Sequence, residues 1–195
     1  SIDYWFNLQI ERSLNSSLEV GQDYYNGITD EILSFGNVVS RVITYEGFLI
    51  PNKKEDLERF TDEKRKEFGL ASLKIFSKEL EMLSVSKDHR IDLTTFKNPA
   101  GGVLDHAILK GTDGQYIQSS PHGDLVGGVV PIFSRTASKA VVGVLVLTRF
   151  VPGSFVNRLH AISKGLQEYR QLKMLKTPIK ASHMITLSIV TLLII

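Results

Sequence analysis

Apolar residues recur at alternating spacings of four and three along the first part of the chain, without a break from Leu14 to Val42. This spacing is typical of a long helix with a narrow apolar seam, and it is also the repeat of coiled coils. The seam consists of Leu14, Leu18, Gly21, Tyr25, Ile28, Ile32, Phe35, Val39 and Val42. Two alternatives are open for it: packing along the helix's own domain, or a dimer seam with a second copy. A helix of about thirty residues spans about 45 Å, so one helix is long enough for both.

A second, shorter helix follows this seam. Gly47 and Pro51 are placed to end the first helix, and Asn52 with Glu55 three residues later has the spacing of a capping box. The second helix carries Leu57, Phe60 and Phe68 on one side and is expected to end near Gly69.

Five strands are predicted after Gly69, in two groups with a short helix between them. The strands lie near 71–77, 80–86, 115–119, 125–133 and 140–151. The first two alternate as a hairpin, whereas the last two are apolar on both faces, which is typical of strands in the middle of a sheet or under a covering helix. The short helix is predicted from Val103 to Lys110, and Gly111 ends it.

An amphipathic helix follows the last strand directly. Pro152-Gly153 ends the strand, and Ser154 is placed to cap a helix whose apolar residues are Phe155, Leu159, Ile162, Leu166 and Tyr169. The helix is expected to kink or end at Thr177, because Pro178 disfavours helical conformation in the residue before it. A basic segment, 173–180, then leads to an apolar run over 184–195. Since a membrane span takes about twenty residues, we interpret this run as the start of a truncated span in a larger membrane protein.

Composition excludes several classes of protein. The 195 residues are 43% hydrophobic, which is enough for a core, and the net charge of +2 provides no broad basic surface. Nucleic acid is therefore not an expected partner. The chain has no cysteine, which excludes disulfides and thiolate chemistry.

Catalytic and metal-binding motifs are also missing from the sequence. His106 follows Asp105 and His122 lies near Asp124, but neither pair has the spacing of a zinc site, so we expect no metal. There is no Gly-x-Ser-x-Gly elbow, no glycine-rich nucleotide loop and no histidine followed by glutamate. We expect this fragment to be no enzyme and to bind no cofactor.

The order of elements resembles the PAS-like arrangement of extracytoplasmic CACHE sensor domains. We therefore expect an α+β fold: a five-stranded antiparallel sheet with a long N-terminal helix and a C-terminal exit helix that leads into a transmembrane span. A fold by itself does not fix a function.

Short local matches over nearly the whole chain give a closer resemblance, to the extracytoplasmic segment of NtrY-type nitrogen-regulation sensor histidine kinases. The matches are Ile2-Asp-Tyr-Trp-Phe6, Leu14, Ser17-Leu-Glu-Val20, Gln22-Asp-Tyr-Tyr25, Phe68-Gly-Leu70, Gly123-Asp-Leu-Val126, Val130-Pro-Ile132, Tyr169, Leu172-Lys173 and Lys176-Thr-Pro-Ile-Lys180.

The resemblance implies a bacterial two-component receptor in the inner membrane, with this domain on the periplasmic side. ATP and magnesium would be bound only by a kinase domain that this fragment lacks. The expected partners are an unknown small molecule or ion, a second copy of the chain, and the lipid bilayer. The expected parts are a dimer helix over 1–50, a PAS-like sensor domain over 51–153, a signalling helix over 154–180 and the start of a transmembrane helix over 181–195.

A pocket in a PAS-like domain would lie between one sheet face and the helices of the crossover. Candidate lining residues are His106, Tyr116, Gln118, Gly128, Val130 and Arg149. Tyr116 and Gln118 share one face of their strand. Arg149 has two alternatives, a bidentate clamp for a carboxylate or a salt bridge at the strand end. Gly127-Gly128 either allows close approach of a ligand or marks a bulge.

Three functions are compatible with these features. The first is a ligand sensor of a histidine kinase that signals through the last strand and exit helix, with Pro152, Gly153, Tyr169 and Pro178 as relay residues. The second is a scaffold or partner-binding domain without a small-molecule pocket. The third keeps the sensor but joins it to a chemoreceptor or a cyclase.

Overall fold

The computed structural model describes residues 2–136 and 140–193, and the side chains over 8–136 and 140–174. The chain forms two compact units, one made of Ser1–Gln22 with Asn157–Ile195 and the other of Asp23–Val156. Two long helices, α1 (Ile2–Glu46) and α4 (Gly153–Leu193), contribute to both units. The larger unit also holds α2 (Lys54–Glu67) and α3 (Gly101–Lys110).

The larger unit is built on one five-stranded antiparallel sheet. Its strands are β1 (Ser72–Ser77), β2 (Met82–Lys87), β3 (Gly114–Ser120), β4 (Gly123–Phe133) and β5 (Val141–Pro152). They lie in the order β2-β1-β5-β4-β3, and every neighbouring pair is antiparallel. The expected strands and the α+β fold are confirmed. The two strands with apolar residues on both faces, β4 and β5, have neighbours on both sides, as their sequences predicted.

Helix α1 covers one face of this sheet. Ile28, Ile32 and Val39 are buried, and they belong to one core with Leu73, Ile75, Val126, Val130, Leu145 and Leu147 of the strands. Three members of the predicted seam therefore pack on their own domain. The use of the seam by a dimer stays a prediction.

Polar contacts fasten α1 to the same face along the length of β4. The Tyr25 hydroxyl donates to Asp124 Oδ2 at 2.6 Å. Near the other end of the helix, Ser40 donates to the Pro131 carbonyl at 2.7 Å and Thr44 to the Phe133 carbonyl at 2.9 Å. These bonds fix the register of α1 on the sheet as well as its distance from it.

The helix ends follow the predicted glycines, but two predicted caps are wrong. Gly47, Gly69 and Gly111 all have a positive φ, between 61° and 65°, where α1, α2 and α3 end. Asn52 is part of a short 3₁₀ turn, Pro51–Lys53, and α2 begins one residue later with no side-chain cap, so the capping box is not formed. Helix α4 begins at Gly153, which places Ser154 inside its first turn instead of at its cap.

The smaller unit contains the first part of α1 and most of α4. Gly21 lies beneath Leu159, Leu166 is buried, and Glu11 forms ion pairs with Arg170 and Lys173. Helix α4 runs to Leu193, so the expected end at Thr177 is wrong, and the alternative of a kink there stays a prediction. Among the described residues, no helix is both long enough and apolar enough to cross a membrane. The predicted start of a span at 181–195 and most of the turn at 136–139 lie outside the residues with described side chains.

Candidate functional site

A row of paired residues crosses the sheet on the face that α1 does not cover. One register line joins all five strands on this face, and it consists of Lys87, Ser72, Thr148, Gly127 and Tyr116. Four of these five residues carry a hydroxyl or an ammonium group. We call this line the polar row.

Two hydroxyl groups form the centre of the polar row. Ser72 and Thr148 are each only 2% exposed, and their side-chain oxygens lie 2.7 Å apart in a hydrogen bond. A buried hydroxyl needs a hydrogen-bond partner, and here each residue supplies it to the other. The pair uses one of the two hydroxyl hydrogens, so one donor is left over.

Lys74 lies two residues after Ser72 on β1, and its side chain is therefore on the same face of the sheet as the polar row. It is partly buried, and its ammonium group donates to Asn98 Oδ1 at 2.6 Å. Burial lowers the pKa of Lys74, and the positive charge of Lys87 lowers that pKa further. None of the ion pairs between described residues includes Lys74 or Lys87. The site therefore has two cations and no paired carboxylate.

Tyr116 lies across the sheet at the other end of the polar row. A Cβ atom on Gly127 would come within 2.2 Å of the Tyr116 ring, so glycine is required where the ring lies flat on β4. Burial raises the pKa of the Tyr116 phenol, which keeps it protonated and able to donate.

Two segments cover this face. Helix α3 covers the side next to Lys74 with an apolar cluster that includes Phe76, Leu104, Ala107, Val144 and Val146. The loop 88–100 covers the other side. Phe96 meets Phe150 edge to face, and the Gln118 side chain exchanges two hydrogen bonds of 3.1 Å with the Lys97 backbone.

The charged end of the row is open to solvent. Lys87 is exposed, and it lines an open concavity together with residues 88–94 of the covering loop. Over 8–136 and 140–174, no three His, Asp or Glu side chains lie close enough together to hold a metal ion. The chemistry that this face provides is hydrogen bonding and positive charge.

The structure brings together only part of the predicted pocket. Tyr116 and Gln118 lie on the face of the polar row, as their spacing predicted. His106 lies on α3 but is exposed, and its Nδ1 is 3.2 Å from the Thr112 hydroxyl.

Three other candidates lie on the opposite face, because alternate residues of a strand point to opposite sides. A Cβ on Gly128 would meet Ile32 and Leu33 of α1, and Val130 is packed beneath Gly36. Arg149 pairs with Glu31 and donates to the Phe68 carbonyl at 3.0 Å, so its strand-end salt bridge is formed. The structure therefore does not place all six candidates on one face of the sheet, and their contact with a ligand stays a prediction.

Sequence reasoning missed four polar residues of the site: Ser72, Lys74, Lys87 and Thr148. A signal was present for Ser72 and Lys74, since each is a polar residue between two apolar residues of the sequence. What was missing was the pairing of β1 with β5, which places Ser72 opposite Thr148.

Comparison with known proteins identifies the fold. No protein-family model matches the chain, and no curated protein matches its sequence. Among solved structures, the ligand-binding domain of the Campylobacter jejuni chemoreceptor Tlp3 in complex with 4-methylisoleucine is similar at a TM-score of 0.53 and 12% identity, over 78% of this chain and 62% of that one. Its complex with L-norvaline gives a TM-score of 0.51 at 12% identity, over 80% and 62%.

The extracellular domain of vpHK1S-Z8, assigned as a histidine kinase, has a TM-score of 0.52 and 12% identity, over 74% of this chain and 59% of that one. The chain thus spans about three fifths of the length of these domains. At this level of identity the likeness defines the fold: the chain has the PAS-like, CACHE-type fold that occurs in receptor sensor domains.

Proposed function

We propose that the chain is the extracytoplasmic ligand-sensing domain of a bacterial membrane sensor histidine kinase. The observation that supports this most is the polar row, which lies beneath α3 and the loop 88–100. Ligand sites are typically apolar surfaces with a few convergent polar groups, and this face has that composition. The similar Tlp3 domain is a ligand-binding domain with a small amino-acid compound bound.

The proposed signal leaves the site through β5. Thr148 belongs to the polar row, β5 ends at Pro152, and α4 begins at Gly153 without an intervening loop. A ligand changes the output only if it binds two conformations with different affinity. We propose that Pro152, Gly153, Tyr169 and Pro178 carry this difference along α4 toward the bilayer.

The specific class of receptor is also part of the proposal. The NtrY-type resemblance supports a histidine kinase of nitrogen regulation in the inner membrane. A chemoreceptor is the second candidate, because Tlp3 is a chemoreceptor of the same fold. The sequence that follows the span in the complete protein distinguishes the two, since only a kinase has a phosphoaccepting histidine and an ATP-binding domain.

A homodimer through α1 remains part of this proposal. Ile28, Ile32 and Val39 are buried in their own domain. A second copy would also meet outward apolar residues of α1, such as Val38, which is 39% exposed.

Thermal unfolding with a panel of amino acids, small carboxylic acids, amines and inorganic ions tests the sensor function. A ligand at one hundred times its Kd stabilises the folded state by about 2.7 kcal/mol, so at least one compound is expected to raise the Tm. Tyr116→Phe removes one hydrogen-bond donor from the site. It is expected to weaken binding by roughly 3- to 10-fold, equivalent to about 0.5–1.5 kcal/mol.

Tyr45→Phe is the matched control, because Tyr45 lies on α1, which covers the opposite face of the sheet, and is 72% exposed. It is expected to leave the ligand-induced rise in Tm unchanged. A panel without any effect, or equal effects of both tyrosine variants on binding, would contradict small-molecule sensing at this face and favour the scaffold alternative.

A further inference from the structure

We infer that the ligand of this site is an anion whose negatively charged oxygens bind the Lys74 ammonium group and take the place of the Asn98 amide there. This inference rests on the proposed sensor function and names the chemical class of the ligand. Four features of the site lead to it.

The first feature is a cation without a counter-ion. Lys74 is partly buried, and its one described hydrogen bond goes to a neutral amide oxygen. The nearest carboxylate in sequence to the row, Asp88, is already bound by Arg90 through two hydrogen bonds of 3.0 and 2.7 Å and lies 4.0 Å from Arg65. No acidic side chain of the row compensates Lys74.

The second feature is the sign of the surrounding charge. Lys87 lies on the same face in the neighbouring strand and lowers the pKa of Lys74, so the two ammonium groups repel each other. Charges of the same sign in a partly desolvated site destabilise each other, and an anion between them removes that repulsion. A cationic ligand would increase it. A neutral ligand would leave it unchanged.

The third feature is the supply of donors. The Ser72 and Thr148 pair has one hydroxyl hydrogen left over, and Tyr116 carries a protonated phenol. Together with Lys74 these groups offer donors, and an anion with two or more oxygens accepts from several of them at once. Hydrogen bonds between a charged donor and a charged acceptor are about twice as strong as neutral ones.

The fourth feature is the position of Asn98 on the covering loop. The contact between Lys74 and Asn98 is one of several that tie the loop 88–100 to the sheet, together with those of Lys97 to Gln118 and of Phe96 to Phe150. An anion that replaces the amide at Lys74 releases one tie of this loop. Ligand binding then changes the cover of the site as well as filling it.

The experiment follows the Lys74 ammonium group by NMR of the lysine side chains in the whole chain, during titration with acetate, glutarate and inorganic phosphate. Acetamide and glutaramide serve as neutral counterparts of the two carboxylates. We expect at least one anion to raise the pKa of Lys74 from its lowered value, because a bound anion stabilises the charged form. The neutral amides are expected to leave that pKa unchanged.

Two variants test whether the anion binds Lys74 in competition with Asn98. Lys74→Met is expected to weaken binding of the anion by at least about 10-fold, as loss of a charged hydrogen bond predicts. Asn98→Ala is expected to strengthen binding a few-fold, because the competing acceptor is gone. Lys78→Met is the control, since Lys78 is an exposed lysine of the β1–β2 turn. Stronger binding by Asn98→Ala is an effect that mere damage to the fold would not produce.

The outcomes separate this inference from the proposed function. Binding of neutral compounds that Tyr116→Phe weakens and Lys74→Met does not would overturn the anionic ligand and keep the sensor. Anion binding that is equal in Lys74→Met and Lys78→Met would overturn it too, since the anion would then bind elsewhere. No response of Lys74 to any of the three anions would also count against it, while the broader thermal panel still tests sensing.

Discussion

Asp124 is a buried carboxylate at the start of β4, and it lies on the face that α1 covers. The residue is 7% exposed, its Oδ2 accepts from Tyr25, and its Oδ1 has no hydrogen-bond partner among the described residues. A buried carboxyl group is costly to the folded state unless its oxygens are hydrogen-bonded. The Tyr25 hydroxyl therefore contributes more to stability than an average tyrosine hydroxyl.

Replacing Tyr25 by phenylalanine tests this contribution. The variant keeps the ring but leaves both oxygens of Asp124 without a described donor, so we expect a loss of about 1.5–3 kcal/mol in the free energy of unfolding. Urea unfolding followed by circular dichroism measures it. Tyr24→Phe is the control on the neighbouring residue, which is 44% exposed, and is expected to change stability by less than about 0.5 kcal/mol. Equal losses in both variants would show that the Asp124 contact is unimportant.

The effect of Tyr25→Phe on the free energy of unfolding is also expected to depend on pH in the alkaline range. Burial and the hydrogen bond to Asp124 raise the pKa of Tyr25 above its ordinary value of 10.0. In the unfolded chain Tyr25 loses its proton near that ordinary value, whereas in the folded chain it keeps it. Its contribution to stability is therefore complete below pH 10 and is lost as pH rises toward the folded-state pKa. The stability difference between wild type and Tyr25→Phe should shrink over this range, and the opposite effect of Lys74 cancels in the difference.

The face of the sheet on which a residue lies was predicted correctly for residues of the same strand, but not for residues of different strands. Tyr116 and Gln118 share a face because they are two apart, and this follows from the strand period alone. The assignment of Arg149 and Gly128 to the same face required the register between β3, β4 and β5, which periodicity does not contain. A shift of one residue in register exchanges the two faces, and three candidates were misplaced in this way.

At the scale of elements, the spacing of apolar residues predicted the helices and strands, whereas capping motifs did not predict where two helices begin. The strands and helices agree with the spacing of apolar residues because that spacing reflects which side chains the fold buries. The Asn52 cap was wrong because Pro51 starts a 3₁₀ turn that includes Asn52. Ser154 is inside α4 because β5 ends only at Pro152. Both errors concern one or two residues at an element boundary.

Two glycines in α1 give an element-scale prediction, since they differ only in what lies next to them. A Cβ on Gly27 would meet nothing within 4 Å, whereas on Gly36 it would lie 2.6 Å from Val130 Cγ2 and 2.9 Å from Leu147 Cδ1. Gly27→Ala is expected to stabilise the protein by about 0.5–1 kcal/mol through helix propensity. Gly36→Ala has the same gain but overpacks the core, which costs about 1–3 kcal/mol.

Chemical denaturation of the two variants measures this difference, and each serves as the control for the other. Gly36→Ala is expected to be the less stable of the pair by about 1–3 kcal/mol. An equal gain in both would show that α1 has room to move away from the sheet at Gly36. The close approach of α1 to β4 would then not be a fixed feature of the fold.

At the scale of the molecule, the two faces of the sheet differ in how firmly they are covered. One face has the long helix α1, with an apolar core and several hydrogen bonds to β4. The other face has a short helix and the loop 88–100, held near the polar row by a few side chains. The five-stranded antiparallel sheet was expected from the resemblance, but the strand order that creates both faces was not predicted, because pairing of β1 with β5 joins residues more than sixty positions apart.

The larger unit should fold without the smaller one. Among the side chains that the structure describes, every buried apolar residue except Leu166 lies between residues 23 and 156, and so do the five strands of the sheet. We therefore expect the fragment 23–156 to unfold cooperatively with a free energy in the ordinary range of about 5–15 kcal/mol. Near-ultraviolet circular dichroism and urea unfolding measure this, and the anion titration of Lys74 can be repeated on the fragment because the whole site is within it.

A shorter fragment, 36–156, is the control, because it tests whether the segment 23–35 of α1 is needed for folding. It keeps the sheet and its covering loop but lacks Ile28 and Ile32, which are 5% and 0% exposed. Loss of a buried isoleucine side chain costs about 2–5 kcal/mol, so loss of both removes most of the stability of a domain of this size. We expect this fragment to lack a cooperative transition. If it folded as well as 23–156, α1 would be dispensable for the core, and its contacts with β4 would have to serve signalling instead of stability.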